Sequence, residues 1–119
     1  MATNKETGDK GEQIVVAYFK NKGIKAEIVK HKVGYDVKAG KFLIEVKGTG
    51  QSIKQKTYFL LTEKEFLAAC KNKNYWLYWV DTKKRKIILK LNRNDILKNI
   101  HSAMHYRLYL SKLKKDIKE

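Results

Sequence analysis

The sequence contains no proline and only one cysteine, Cys70. A single cysteine cannot form a disulfide within the chain, which is typical of proteins kept in a reducing compartment. No apolar run approaches the roughly 20 residues that a membrane-spanning helix requires, and residues 1–6 lack the apolar core of a signal peptide. We therefore expect an intracellular protein, in the cytoplasm or its archaeal or viral equivalent, that does not cross a membrane.

Acidic residues are also scarce, which leaves a large positive charge. Lysine and arginine together number 27, against 12 aspartates and glutamates, so the formal net charge is +15. A surface this basic attracts polyanions. Nucleic acid, and DNA in particular, is the first expected partner, and an anionic membrane surface is the alternative. A lysine-rich composition also arises from genome bias or a hot habitat, so the charge does not decide the partner by itself.

The chain suits one domain covering residues 1–119, because 43% of it is hydrophobic and no linker interrupts it. Residues 1–7 precede the first helical pattern, and we expect them to be disordered. Apolar periodicity predicts the order αβββ followed by αββα, which is an α/β (α+β) fold class with a mixed sheet and flanking helices. A capping box of Thr62 and Glu65 starts the second helix. The other predicted elements cover residues 8–22, 25–30, 35–39, 42–47, 58–61, 75–80, 86–91 and 94–115, the last within a C-terminal helical extension, 94–119.

A predicted hairpin brings two acids together. With Gly40 and Lys41 as its two-residue turn, Asp36 lies opposite Glu45, and alternation places Lys47 on the same face as both. Carboxylates opposite each other on neighbouring strands repel, and a bound Mg²⁺ or Mn²⁺ would remove that repulsion. The alternative is a solvated face with an ordinary Lys–Glu pair, and a register shift of one residue would separate the groups.

Lys47 and Glu12 have further expected roles at this candidate metal site. Lys47 is placed to neutralise charge on a phosphate or to help deprotonate an attacking water. Glu12 lies on the same side of the first helix as Val15, Val16 and Phe19, so its carboxylate needs a partner next to the core. The metal is one candidate partner, but a glutamate in the first helical turn is also favoured by the helix dipole.

Two basic segments are candidate contacts for a nucleic-acid backbone. The loop after the third strand carries Gln51, Lys54 and Lys56, and the turn between the last two predicted strands carries Lys83, Lys84 and Arg85. The alternatives are a polar surface loop and a solvated hairpin tip with edge-protecting lysines. The aromatic residues of segment 75–80 favour a buried strand over a base-stacking surface.

The acids and the lysine also carry a family resemblance. Glu12, the segment Gly34-Tyr35-Asp36 and the segment Ile44-Glu45-Val46-Lys47-Gly48 resemble the motifs of the PD-(D/E)XK, or restriction-endonuclease-like, nuclease superfamily, and the element order resembles its αβββαβ core. The resemblance implies that Asp36 and Glu45 bind metal, that Lys47 assists catalysis and that Glu12 supports the metal. Tyr35 stands where the superfamily's name has proline.

A closer likeness covers roughly residues 8–91. Four segments are similar to the C-terminal domain of NO VEIN-like proteins, a domain of poorly known function that is grouped with the same nuclease fold: Gly34-Tyr35-Asp36, Ile44-Glu45-Val46-Lys47-Gly48-Thr49, Phe59-Leu60-Leu61-Thr62-Glu63-Lys64-Glu65 and Tyr75-Trp76-Leu77-Tyr78-Trp79-Val80. We expect a Mg²⁺-dependent endonuclease that hydrolyses DNA phosphodiesters, with structure-specific cleavage of the Holliday-junction-resolvase kind included. The alternative is a non-catalytic DNA-binding or protein-interaction module that retains the fold. The apolar edge of the predicted last helix suits either packing on the sheet or pairing in a homodimer.

Overall fold

A five-stranded mixed sheet lies at the centre of the structure. The computed structural model describes residues 4–31, 33–50, 58–100, 106–110 and 113–117. Its elements, in chain order, are α1 Asn4–Asn21, β1 Ala26–Ile28, β2 Val37–Ala39, β3 Phe42–Thr49, β4 Tyr58–Leu61, α2 Glu63–Lys71, β5 Tyr75–Asp81, β6 Lys86–Asn92, α3 Arg93–Lys98, β7 Tyr106–Tyr109 and the 3₁₀ turn η1 Leu113–Asp116. The predicted mixed α+β class is confirmed.

The strands of the central sheet lie in the order β1-β2-β3-β5-β6. The first three form an antiparallel meander, β3 pairs parallel with β5, and β6 returns antiparallel to β5. The β2–β3 hairpin has the predicted register, with Ala39 opposite Phe42 and Val37 opposite Ile44. Gly40 makes the reversal possible with a φ of +57°, a conformation that glycine adopts at little cost.

Both faces of the sheet are covered, which explains the long apolar run in β5. One face packs against α1 through Val15, Phe19 and Ile44. The opposite face packs against α2, α3 and the small β4–β7 sheet through residues that include Leu77 and Trp79, both fully buried. A central strand covered on both faces has no solvated side that would require polar residues. The prediction that the aromatic segment 75–80 packs in the core is therefore confirmed.

Helix α1 approaches β3 closely at two glycines. A side chain at Gly48 would place its Cβ 2.9 Å from the backbone oxygen of Thr7, and one at Gly11 would place its Cβ 3.2 Å from the side chain of Val46. Real Cβ atoms are not tolerated at the shorter distance without movement of the backbone. The small size of both residues thus lets the first half of α1, which carries Glu12, lie directly over β3.

The two chain ends differ from their predictions. Helix α1 begins at Asn4, so the expectation of disorder is wrong for residues 4–7, where Thr7 packs against β3. The helix predicted over residues 94–115 is also wrong, because α3 ends at Lys98 and Tyr106–Tyr109 forms β7. Strand β7 pairs antiparallel with β4. Leu108 and Leu110 are fully buried, and their spacing of two is that of a strand.

Gly34 has the most restricted position among the glycines before the β2–β3 hairpin. Its φ is +97°, and a Cβ there would lie 2.6 Å from the backbone oxygen of Lys64. We predict that Gly34→Ala lowers the free energy of unfolding by about 3 kcal/mol or more, through backbone strain and overpacking together. Gly23 is the matched control, because its φ is +77° but no atom lies within 4 Å of its Cβ position.

Gly23→Ala should therefore cost only about 1 kcal/mol, the cost of the left-handed conformation alone. Urea unfolding of both variants measures the two values. Equal losses would show that close packing at Gly34 does not hold the segment before Asp36.

Candidate active site

One cleft collects all the residues predicted to carry the chemistry. It has a volume of about 450 Å³ and lies between the first half of α1, strand β3 and the start of α2. Glu12, Asp36, Glu45 and Lys47 all line it. The side chains of Glu45 and Lys47 lie on the sheet face that packs against α2, two residues apart on β3.

Asp36 is held in the cleft by the backbone of β3. Strand pairing with β3 ends at Val37, and the backbone N–H of Asp36 donates to the oxygen of Ile44 over 2.9 Å. The N–H of Val46 donates to Oδ2 of Asp36, also over 2.9 Å. A carboxylate that accepts a backbone N–H has a fixed orientation. Asp36 is therefore fixed against the strand that carries Glu45.

The segment before Asp36 is held from the other side by Tyr75. The hydroxyl of Tyr75 donates to the backbone oxygen of Gly34 over 2.7 Å, and this hydrogen bond is buried. Tyr75 itself is fully buried at the start of β5. The core of the domain thus sets the path of the loop that leads into the cleft.

Glu45 is a buried acid, with a relative exposure of 4%. Burial raises its pKa well above the ordinary carboxyl value. The attraction of Lys47 opposes this shift, while the charges of Asp36 and Glu65 add to it. Water does not solvate this carboxylate, so the ionised form of Glu45 needs a positive partner inside the cleft.

Lys47 supplies part of that charge and is itself held by two acids. Its Nζ lies 3.2 Å from Oε2 of Glu45 and 3.1 Å from Oε1 of Glu65. Burial by itself would lower the pKa of Lys47, but the attraction of the two carboxylates raises it above its ordinary value. Lys47 therefore stays a cation at neutral pH.

Glu65 is the site residue that the sequence did not reveal. Its Oε1 accepts from the backbone N–H of Thr62 over 3.0 Å, and its own N–H donates to Oγ1 of Thr62 over 3.1 Å. The capping box predicted from these two residues is confirmed. The same Oε1 also accepts from Lys47. Burial would raise the pKa of Glu65, but Lys47 and these hydrogen bonds lower it.

The donor set of the cleft fits a hard divalent cation in part. Asp36, directly before β2, and Glu45 on β3 offer carboxylate oxygens, and Glu12 lines the same cleft. Within the described residues, no three histidine, cysteine, aspartate or glutamate side chains are grouped closely enough to hold a metal by themselves. Mg²⁺ commonly takes one or two protein carboxylates and completes its shell with water and substrate phosphate. Asp36 and Glu45 would hold the ion on that pattern, with Glu12 as a supporting acid.

The three predicted nucleic-acid contacts that the structure describes lie away from the cleft. Lys83, Lys84 and Arg85 lie in the exposed β5–β6 turn and do not line it. Oδ1 of Asp81 accepts the backbone N–H groups of Lys83 and Lys84, each over 3.0 Å, and so shapes this turn. The other three predicted contacts, Gln51, Lys54 and Lys56, lie outside the described residues.

The β5–β6 turn does lie close to the end of β3. A Cβ at Gly50 would be 3.4 Å from the Cε of Lys83, and the parallel ladder pairs Thr49 with Asp81. Lys83 is therefore next to the point where the chain leaves β3 for the segment 51–57.

These features define a mixed α+β domain with a half-enclosed cleft that combines carboxylates and a lysine. The sequence matches the family described as Protein NO VEIN, C-terminal, over residues 9–92, and the chain belongs to that family. The closer of the two likenesses noted in the sequence is thus confirmed. No curated protein and no solved structure shows significant similarity to the chain. Among the described helices, none has the length and apolar character needed to cross a membrane.

The raised pKa of Glu45 predicts how stability changes with pH. The folded protein retains a proton on Glu45 at pH values where the unfolded chain, with a carboxyl pKa near 4.5, has lost it. The free energy of unfolding should therefore fall as pH rises from about 4.5 through the raised pKa. Glu45→Gln removes this titration, so its stability should fall less over the same interval.

Urea unfolding at pH 5, 6, 7 and 8 in the presence of EDTA measures this difference. The control is Glu27→Gln, an exposed glutamate on β1, which should follow the wild-type curve. Parallel curves for wild type and Glu45→Gln would contradict a raised pKa for Glu45.

Proposed function

We propose that the chain is a Mg²⁺- or Mn²⁺-dependent nuclease of the PD-(D/E)XK kind that hydrolyses DNA phosphodiester bonds. The observation that supports this best is that Asp36, Glu45 and Lys47 line one cleft, with Asp36 directly before β2 and the other two on the paired strand β3. The net charge of +15 supports a polyanionic substrate.

Each residue of the cleft has a proposed role. Asp36 and Glu45 hold the metal, and Glu12 supports it from α1. A bound divalent metal supplies a water of lowered pKa and stabilises charge on the phosphate. Lys47 acts through its positive charge on the phosphate oxygens. Its raised pKa keeps it protonated at neutral pH, where it has no lone pair to accept a proton from water, so charge stabilisation is favoured over general-base catalysis.

The substrate contacts and the assembly are further parts of the proposal. Gln51, Lys54 and Lys56 after β3 and Lys83, Lys84 and Arg85 in the β5–β6 turn contact the DNA backbone through their charge or hydrogen bonds. Two copies are needed if both strands of a duplex or a branched junction are cut together, so a homodimer is proposed. Leu110, which belongs to the apolar edge predicted for the last helix, is buried inside the chain and does not supply that interface.

A second candidate is a DNA-binding or protein-interaction module that does not cleave. Two observations favour it. Lys47 is already engaged by Glu45 and Glu65, and the described residues contain no group of three metal-binding side chains. A lysine held in this way can be a structural ion pair that stabilises the fold.

Cleavage assays separate the two candidates. Purified protein is incubated with plasmid, linear and branched DNA in Mg²⁺ or Mn²⁺, beside the variants Asp36→Ala and Lys47→Ala. Removal of a group that stabilises transition-state charge should reduce the cleavage rate by roughly 100-fold or more. Asp9→Ala, which removes an exposed acid from α1, is the control and should cleave like wild type.

Two outcomes would count against the proposal. Cleavage by wild type that neither Asp36→Ala nor Lys47→Ala reduces would remove these residues from the active site. Binding of DNA by wild type without cleavage in either metal would favour the non-catalytic module.

A further inference from the structure

A second groove lies along α1, away from the cleft. It has a volume of about 440 Å³ and runs between α1 and the edge strand β6. On α1 it is lined by residues that include Gln13, Tyr18 and Asn21, whereas Glu12 lines the cleft. Gln13 and Asn21 are exposed, and successive residues of a helix point about 100° apart. The groove and the cleft are therefore separate, although α1 borders both.

The charge of this groove is all of one sign. Arg85, Lys86 and Lys90 line it, and no carboxylate does. Lys22 adds a fourth cation, with its Nζ 4.5 Å from the ring centre of Tyr18. Among the described residues, none of these four forms an ion pair with an acid, since the ion pairs found there belong to Lys47. Four cations gathered around one groove without a counter-charge favour an anionic ligand.

Tyr18 holds two of these lysines in place. The Nζ of Lys90 donates to the Tyr18 hydroxyl and lies 4.4 Å from the centre of the ring. Tyr18 is itself packed edge-on against Phe19 and Tyr78. Hydrogen bonds from Lys22 and Lys90 lower the pKa of Tyr18. The ammonium groups are thus positioned by a half-buried ring, which reduces the entropy lost when they bind a ligand.

A β-bulge in β6 sets the side of the strand that Lys90 occupies. Trp79 pairs with Leu89 and Val80 pairs with Ile87, so Ile88 has no partner and is an extra residue. Beyond this bulge, Lys90 reaches the α1 side and contacts Tyr18, while Ile87 packs with the residues under α1. Bulges redirect side chains in this way and are common beside functional sites.

The spacing of the charges indicates the size of the ligand. Lys86 and Lys90 are four residues apart on β6, but because of the bulge their partners on β5, Asp81 and Tyr78, are three residues apart, which is about 10 Å along a strand. Cations spread over such a distance suit a ligand that carries several phosphates in a row. A chain of several phosphates can contact both. The apolar floor of the groove, formed by Ile14, Ala17 and Ile87, suits the sugar edge of such a chain.

We propose that the groove between α1 and β6 binds the phosphodiester backbone of a nucleic acid, as a second contact surface separate from the cleft. The inference rests on the proposed function in so far as the cleft acts on the same molecule. It assigns Lys22, Lys86 and Lys90 to substrate binding and places Arg85 of the β5–β6 turn in the same surface. Tyr18 is a positioning residue for the lysines.

Binding is measured by fluorescence anisotropy with a labelled 24-base-pair DNA duplex, in EDTA so that no cleavage can occur. The test variant is the pair Lys86→Gln and Lys90→Gln. The control is the pair Lys25→Gln and Lys71→Gln, two exposed lysines outside the groove and the cleft, which lowers the net charge by the same amount. Thermal melting of each variant checks that it is folded.

We expect the test variant with Lys86→Gln and Lys90→Gln, the groove pair, to weaken DNA binding by about 10-fold at 100 mM salt. It should also lower the slope of log Kd against log salt by about two. The control pair should stay within about threefold of wild type. Tyr18→Leu should weaken binding several-fold with an unchanged salt slope, because positioning is lost but charge is kept. Tyr18→Phe, which keeps the ring, should weaken it less.

Equal effects of the two lysine pairs on DNA binding would overturn the assignment of the groove to nucleic acid. If the groove pair binds DNA like wild type but loses binding to vesicles made of anionic phospholipid, the groove is instead a membrane-binding surface. Failure of the proposed nuclease gives a different result: wild type binds DNA through the groove, the groove pair loses that binding, and no cleavage occurs in Mg²⁺ or Mn²⁺. If the groove pair cleaves and binds DNA at wild-type levels, the nuclease proposal is kept and the groove assignment is rejected.

Discussion

The position of Lys47 between the carboxylates of Glu45 and Glu65 is the interaction on which the cleft depends. Glu45 lies on a central strand whose two faces are covered, so its charge has little contact with water. Lys47 offsets part of that cost, and Glu65 also holds its ammonium group. Removal of one partner from a buried ion pair typically costs about 3–5 kcal/mol. The cleft therefore links the stability of the domain to its chemistry.

Glu65 connects this interaction to the start of α2. The same carboxylate oxygen caps the helix at Thr62 and accepts the hydrogen bond from Lys47. The cap moves with α2, but a shift of α2 along the sheet would break the contact with Lys47, so this contact fixes the position of the helix relative to β3. On the other side, the close approach at Gly11 and Gly48 fixes α1 against β3. Elements on both faces of the sheet thus converge on the cleft.

The two surfaces on either side of α1 have opposite electrostatic character. The cleft contains three acids that were recognised in the sequence, and its one central lysine is neutralised by carboxylates. The groove at β6 carries unopposed positive charge around Tyr18. On the proposed function, a phosphodiester chain is attracted by the second surface and needs a cation or Lys47 to approach the first. Such a division lets affinity and chemistry depend on different residues.

The sequence by itself determined the central hairpin and the cleft residues on it. Gly40 at the turn and strict alternation along β2 and β3 leave one register that buries Val37 and Ile44, and that register also brings Asp36 to Glu45. These are local rules of strand geometry. They could not reveal the contact of Glu65 with Lys47, because the two residues are 18 apart in sequence and meet only when α2 docks on the sheet.

The C-terminal segment was decided by tertiary structure. Its apolar residues fit a helical spacing, but β4 presents a free edge beside the buried Phe59 and Leu61. Pairing with Tyr106–Tyr109 satisfies the backbone groups of that edge and buries Leu108. Local periodicity contains no information about an unpaired strand that lies about 50 residues earlier in the chain. The groove at β6 depends in the same way on the packing of α1 against a bulged strand, which no local pattern specifies.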